Sequence, residues 1–234
     1  MEFTANEGKQ VEIAANGGRY LRHAIRTHFV TVGENYLDLI RKYVSPLYQL
    51  GDLLSVSEKV IALCQGRVVY RKDIKIGLWA KFLSRFACGK SSAGPGVSLP
   101  VKMQYAINKV GLPRILAAAI AGGLGKLVGI KGIFYRIAGR EVSGLDGFYG
   151  GEWETYRDVG IEIPHDPTGV CREIKRKLGI SCMIVDANDL GQEILGRSSD
   201  LTLSDEALRQ LIRDNPAGQG KECTPFILIR RKSE

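Results

Sequence analysis

The chain has 234 residues, 44% of them hydrophobic and 25% charged, which is enough to bury a substantial core. Its longest uncharged apolar run, Ile115 to Gly125, falls far short of the roughly 20 residues a membrane span needs. The net charge of +8 points to an anionic partner, with nucleic acid, anionic lipid and a phosphorylated small molecule all compatible with charge alone.

The first residues, Met-Glu-Phe-Thr-Ala-Asn-Glu, are acidic and contain no apolar core of a signal peptide. Five scattered cysteines, none at Cys-x-x-Cys spacing, argue against zinc and disulfide frameworks and for a reduced, cytoplasmic setting.

Lys9 to Ile13 alternates as a short strand, and Arg19 to Val32 is a second extended stretch. Leu37, Ile40 and Val44 predict a helix from Asn35 that stops before Pro46. Gly51-Asp52 is a turn, Leu53 to Ser57 a buried strand, and Val60 to Leu63 leads on toward Gly66-Arg67. Ile76 to Phe86 predicts a helix with Leu78, Phe82 and Phe86 on one face.

A loop of small residues follows, Cys88 to Gly96. Val101 to Val110 and Arg114 to Leu127 suit helices broken at Gly111-Leu-Pro113. The segment Ile115 to Val128 has the composition of a membrane-interface helix, but its Ala and Gly content argues for close internal packing. Ile133 to Ala138 has strand character, and Gly144 to Gly151 reads as loop.

Thr168 to Leu178 predicts a helix capped by Thr168 and ended by Gly179. Ile180 to Val185 is an apolar strand closing on Asp186, Ser204 to Arg213 a helix, and Phe226 to Ile229 a last strand. This irregular alternation places the chain in the α+β, or mixed α/β, class. It forms either one domain over residues 1–234 or two interlocked subdomains.

The strongest chemical signal is Met183-Ile-Val-Asp186-Ala-Asn188-Asp189, where a buried strand delivers carboxylates at its carboxyl end. Such oxygens suit Mg²⁺ or Mn²⁺. A second acidic group, Glu141 and Asp146, lies among glycines beside Arg136 and Arg140, which could grip phosphate oxygens or simply pair locally. Gly89-Lys90-Ser91 resembles the end of a phosphate-binding loop, but Ser84 stands where that motif needs glycine. His28 ends an extended stretch and is a candidate site-lining residue. No aromatic-basic platform or helix-turn-helix pattern supports nucleic acid, and no membrane partner is expected.

The order of several short motifs adds to this. Arg26-Thr-His-Phe-Val-Thr-Val-Gly-Glu-Asn35 and Gly51-Asp-Leu-Leu-Ser-Val-Ser-Glu-Lys-Val-Ile-Ala-Leu-Cys-Gln-Gly-Arg67 come first. Ile137-Ala-Gly-Arg-Glu141, Ile184-Val-Asp-Ala-Asn188 and Gly218-Gln-Gly-Lys-Glu-Cys-Thr-Pro225 follow. In this order they resemble the coenzyme F420 glutamate ligase family.

The resemblance implies a γ-glutamyl ligase-like fold and a homodimer that uses GTP as co-substrate with Mg²⁺ or Mn²⁺. It also implies an acidic small-molecule acceptor joined to glutamate, or a similar amino acid, through an acyl phosphate. Glu141 and Asp186 match the family's metal-binding aspartates, with Asp146 and Asp189 added from their chemistry. Lys59 and Arg67 fall on signature positions that hold phosphate or acidic substrate. Ala62, Leu63, Gln65 and Ile137 depart from the signature. These departures make a non-catalytic nucleotide- and metal-binding regulator the alternative.

Overall fold

The computed structural model describes residues 2–87, 90–91, 94–148, 154–188, 191–218 and 220–232. In chain order, β1 (Glu12–Ala15), β2 (Gly18–Ile25), α1 (Tyr36–Tyr43), β3 (Leu53–Ser57) and α2 (Glu58–Cys64) come first. A middle stretch holds β4 (Val68–Tyr70), α3 (Leu78–Phe86), β5 (Lys90–Ser91), β6 (Gly94–Pro95), α4 (Pro100–Val110) and α5 (Leu112–Leu127). It continues with α6 (Ile133–Ala138), α7 (Arg140–Ser143), β7 (Asp146–Gly147) and β8 (Val159–Ile161). The chain closes with α8 (Pro167–Leu178), β9 (Cys182–Asn188), β10 (Gly191–Arg197), α9 (Asp205–Leu211) and β11 (Phe226–Arg231). The fold is of the mixed α+β class.

Two compact units divide these elements: Met1–Arg67 with Pro164–Glu234, and Val68–Ile163. The first is built on a six-stranded sheet in the order β1-β2-β11-β3-β9-β10. Every neighbouring pair is antiparallel except β3 and β9, which run parallel with Val56 beside Ile184. Alternating side chains feed two cores. Val56, Ile184, Phe226 and Leu228 meet α1, α2 and α8 on one face, while Leu53, Met183, Ile227 and Ile229 meet α9 on the other.

Local chemistry sets the element ends. Asn16 and Gly17, both at positive φ, make the two-residue turn between β1 and β2. Asn35 caps α1 by accepting from the Leu37 N–H at 2.8 Å. Helix α8 starts earlier than its sequence suggests. Asp166, not Thr168, is its cap, accepting from the Gly169 N–H at 2.9 Å, and Pro167 fills the first turn, where no N–H is needed.

In the second unit, α3 to α7 pack around Ala80, Met103, Ala106, Ile115 and Ala118, beside the small sheet β4-β8-β7. Here the strand expected over Ile133 to Ala138 is the helix α6. Its Ile and aromatic residues favour strands in isolation, but Gly122 and Gly125 of α5 leave room for Phe134 and Ile133 to pack close against that helix. The Ala and Gly content of α5 therefore serves its inward face, Ile115, Ala118, Gly122 and Gly125. The Leu78, Phe82 and Phe86 face of α3 points outward, whereas Ala80, Leu83 and Ser84 point in. Among the described residues no helix is long and apolar enough to cross a membrane.

Candidate functional site at the carboxyl end of the parallel strand pair

Strand β9 leaves the core as it reaches its polar residues: Cys182 to Val185 are buried, and Asp186 to Asn188 are half-exposed. Asp186 thus lies inside the strand, not just past its end. Strands β9 and β10 pair antiparallel with Asn188 opposite Gly191, and this register sets Glu193 of β10 directly opposite Asp186. Residues opposite each other on antiparallel strands project to the same face, with Cβ atoms about 5 Å apart. Asp186 and Glu193 therefore stand side by side, one row beyond the core residue Ile184.

Other strands bring their ends to the same edge. Ser57 ends β3 beside Val185, and its N–H donates to the Pro225 carbonyl at 2.9 Å. The Thr27 N–H donates to the Cys223 carbonyl at 2.8 Å. Arg26 to His28, Ser57 to Lys59, Cys223 to Pro225, Asp186 to Asn188 and Gly191 to Glu193 thus gather at one end of the sheet. This is where open sheets with parallel strands bind ligands. Asn188 is oriented there, its side-chain oxygen accepting from the Gly191 N–H at 3.2 Å.

Lys59 occupies the first turn of α2, at this edge. Arg67 follows the other end of α2, on the order of 10 Å along the helix direction. His28 is held between two partners, its Nε2 2.7 Å from Glu34 and its Nδ1 2.8 Å from the Tyr43 hydroxyl. Those bonds, Tyr43 first and then Glu34, raise the imidazole pKa above its ordinary value.

The remaining sequence candidates lie in the second unit. Glu141, on α7, is 3.5 Å from Lys109 Nζ, and that amine is also 2.9 Å from Glu162. It stands as one member of a local ion-pair cluster. Asp146 begins β7, and its Oδ1 accepts from the Gly147 N–H at 2.7 Å. Arg136 is exposed on α6, and Arg140 is exposed at the start of α7. Asp189 lies outside the described residues. Among the described residues no three His, Cys, Asp or Glu side chains gather as a metal-binding group, while the register sets Asp186 opposite Glu193.

Glu193 was not singled out in the sequence. It becomes legible once the antiparallel register is known, because pairing Asn188 with Gly191 obliges Asp186 to face Glu193. Ala62 and Leu63 are buried, so both are apolar packing positions. Gln65 accepts from the His165 N–H at 2.7 Å and donates to the His165 carbonyl at 2.8 Å. A carboxylate could accept but not donate in that reciprocal pair. No protein-family model matches this chain, and neither does any curated protein.

Proposed function

We propose that this protein is a GTP- and divalent-metal-dependent amide ligase that joins glutamate, or a similar amino acid, to an acidic acceptor. The observation that carries the reading is the facing pair Asp186 and Glu193 at the carboxyl end of β3 and β9. The order of the ligase-like motifs supplies the nucleotide and the reaction class. A cytoplasmic homodimer belongs to the same reading.

The donor set suits a hard cation, because carboxylate and amide oxygens are the ligands Mg²⁺ and Mn²⁺ take. Asp186 and Glu193, with the Asn188 amide, would hold it, and when bound it neutralises charge on phosphate oxygens. Lys59, in the first turn of α2, holds the phosphate or the acidic substrate by direct charge pairing. In the reaction, an acceptor carboxylate oxygen bonds to the terminal phosphorus of GTP and GDP leaves. The amino group then attacks the acyl carbon, phosphate departs, and the nitrogen loses a proton to leave an amide.

Thermal unfolding with GTP, ATP, Mg²⁺ and Mn²⁺, alone and combined, tests this. The expected result is a rise that needs both metal and GTP, about 2.7 kcal/mol at a hundredfold excess over Kd. It disappears in Asp186→Ala and in Glu193→Ala. No rise in any combination removes the nucleotide from the reading.

A second reading, a non-catalytic regulator on the same site, is favoured by the packing of Leu63 and the structural use of Gln65. Binding of GTP and metal without release of GDP, across a panel of acids and amino acids, selects it.

A further inference from the structure

We propose that the outward face of α3 docks on an anionic lipid surface, taking a headgroup phosphate into a cationic hollow beside an inserted aromatic stripe. Two properties of the chain coincide in the second unit. Residues 68–163 hold 14 Lys and Arg against 7 Asp and Glu, a net charge of +7 out of the +8 for the whole chain. The same unit holds Leu78, Trp79, Phe82 and Phe86 of α3, and Ile120, Leu124 and Leu127 of α5, all exposed. A soluble protein seldom leaves so many large apolar side chains in water on one small unit without a partner for them.

Helix α3 shows how the two properties meet. At 100° per residue its buried face is Ala80, Leu83 and Ser84, and its opposite sector is Leu78, Trp79, Phe82 and Phe86. Leu78 is 84% exposed and Phe86 67%, so these rings and methyls contribute little to the core behind them. They hold one another instead, with Trp79 edge-on to Phe82 and Phe82 edge-on to Phe86, centroids 6.3 and 5.0 Å apart.

Lys81 and Arg85 project from the flank of that sector. With Ile76, Ser84, Ser98 and Pro100 they line an open hollow of about 430 Å³. Two cations and two hydroxyls around such a hollow suit a phosphate monoanion or diester. Aromatic and leucine side chains beside lysine and arginine make the pattern by which helices lie in a membrane interface. A second copy of the chain fits less well, because apposing two units of +7 sets Lys81 and Arg85 against like charges. The contact is peripheral, since no described helix can span a bilayer.

The test is flotation of the full chain with vesicles of phosphatidylcholine, alone or with about one-third phosphatidylglycerol. The Trp79 emission is read in a Trp153→Phe background that leaves a single tryptophan. Binding is expected only to the anionic vesicles, with a blue shift of Trp79 and weakening as salt rises. Phe82→Glu, an exposed position whose change leaves the fold intact, abolishes it. The pair Lys81→Gln and Arg85→Gln weakens it roughly 25-fold, about fivefold per lost cation. Inorganic phosphate and glycerol phosphate at millimolar concentration fail to displace the vesicles. Equal binding to neutral vesicles, no binding to either, or an unaffected Phe82→Glu variant overturns the proposal. So does a solution dimer that Phe82→Glu dissociates, which would assign the face to a second copy.

Discussion

His28 shows how a single residue can be read for its role and its pH response. Its imidazole bridges Tyr43 and Glu34, and its pKa is raised, with the Tyr43 hydrogen bond the leading cause and Glu34 the next. A raised pKa means the folded state holds the proton more tightly than the unfolded chain does. The cluster's contribution is therefore complete below the ordinary histidine value of 6.5 and fades as pH rises through the higher folded value. Glu34 works in the opposite direction: burial opposes its charge, but Thr31 and His28 hold its pKa below the ordinary 4.5, so its share fades only in acid. A proton NMR titration should place the His28 midpoint above 6.5 in the native protein and move it down in Tyr43→Phe. A midpoint that stays put in the variant removes Tyr43 from the account. At this scale the sequence is legible where one residue carries its own context. Asp186 follows four apolar residues and is recognisable as a carboxylate where a buried strand leaves the core, though the strand runs on to Asn188. Glu141 looks similar among its glycines, yet the partner that engages it, Lys109, lies 32 positions away on α4, and no local pattern announces that meeting.

Elements were legible in proportion to how far local chemistry decides them. Helix α1 has its cap, its apolar spacing and Pro46 in one short stretch, and β3 is a run of buried residues bounded by Gly51-Asp52. Helix α6 and strand β10 were not legible, because tertiary packing decides both. Strand β10, Gly191-Gln-Glu-Ile-Leu-Gly-Arg, has no clean alternation, and its register shifts between Ile194 and Gly196. At Gly196 the backbone at the start of α8 packs tightly against the sheet. A Cβ there would stand 2.5 Å from the Pro167 carbonyl carbon and 2.5 Å from the Thr168 nitrogen, both backbone atoms that cannot swing aside. Gly196→Ala should therefore destabilise the protein by about 1–3 kcal/mol, the usual cost of overpacking. Urea denaturation measures it, with Gly191→Ala as the control because nothing lies within 4 Å of a Cβ added there. Equal stability of the two variants would mean that α8 can lift from β10 without cost.

The whole chain is an insertion: one unit is assembled from both ends of the sequence, and the other is a continuous stretch threaded between them. Each apolar core belongs to one unit. The two clusters on the six-stranded sheet draw only on residues before Val68 or after Ile163, and the clusters around Met103 and Tyr105 draw only on those between. The charge divides as sharply, with nearly all of the excess in the inserted unit. The two connections are joined by Gln65 and His165, whose paired hydrogen bonds tie the chain two residues before one crossing to the chain one residue after the other. Replacing residues 68–163 by a linker of about three glycine and serine residues, which spans roughly 10 Å, should then close without strain. The shortened protein should unfold in one cooperative transition, because its cores and its sheet are complete. Mn²⁺ together with GTP should still raise its melting temperature, since Asp186 and Glu193 remain, and Asp186→Ala should remove that rise. Vesicle flotation should vanish, because α3 leaves with the excised unit. A molten product that binds neither would show that the sheet needs its insert to fold. A folded product blind to Mn²⁺ with GTP would move the cation site away from the facing carboxylates.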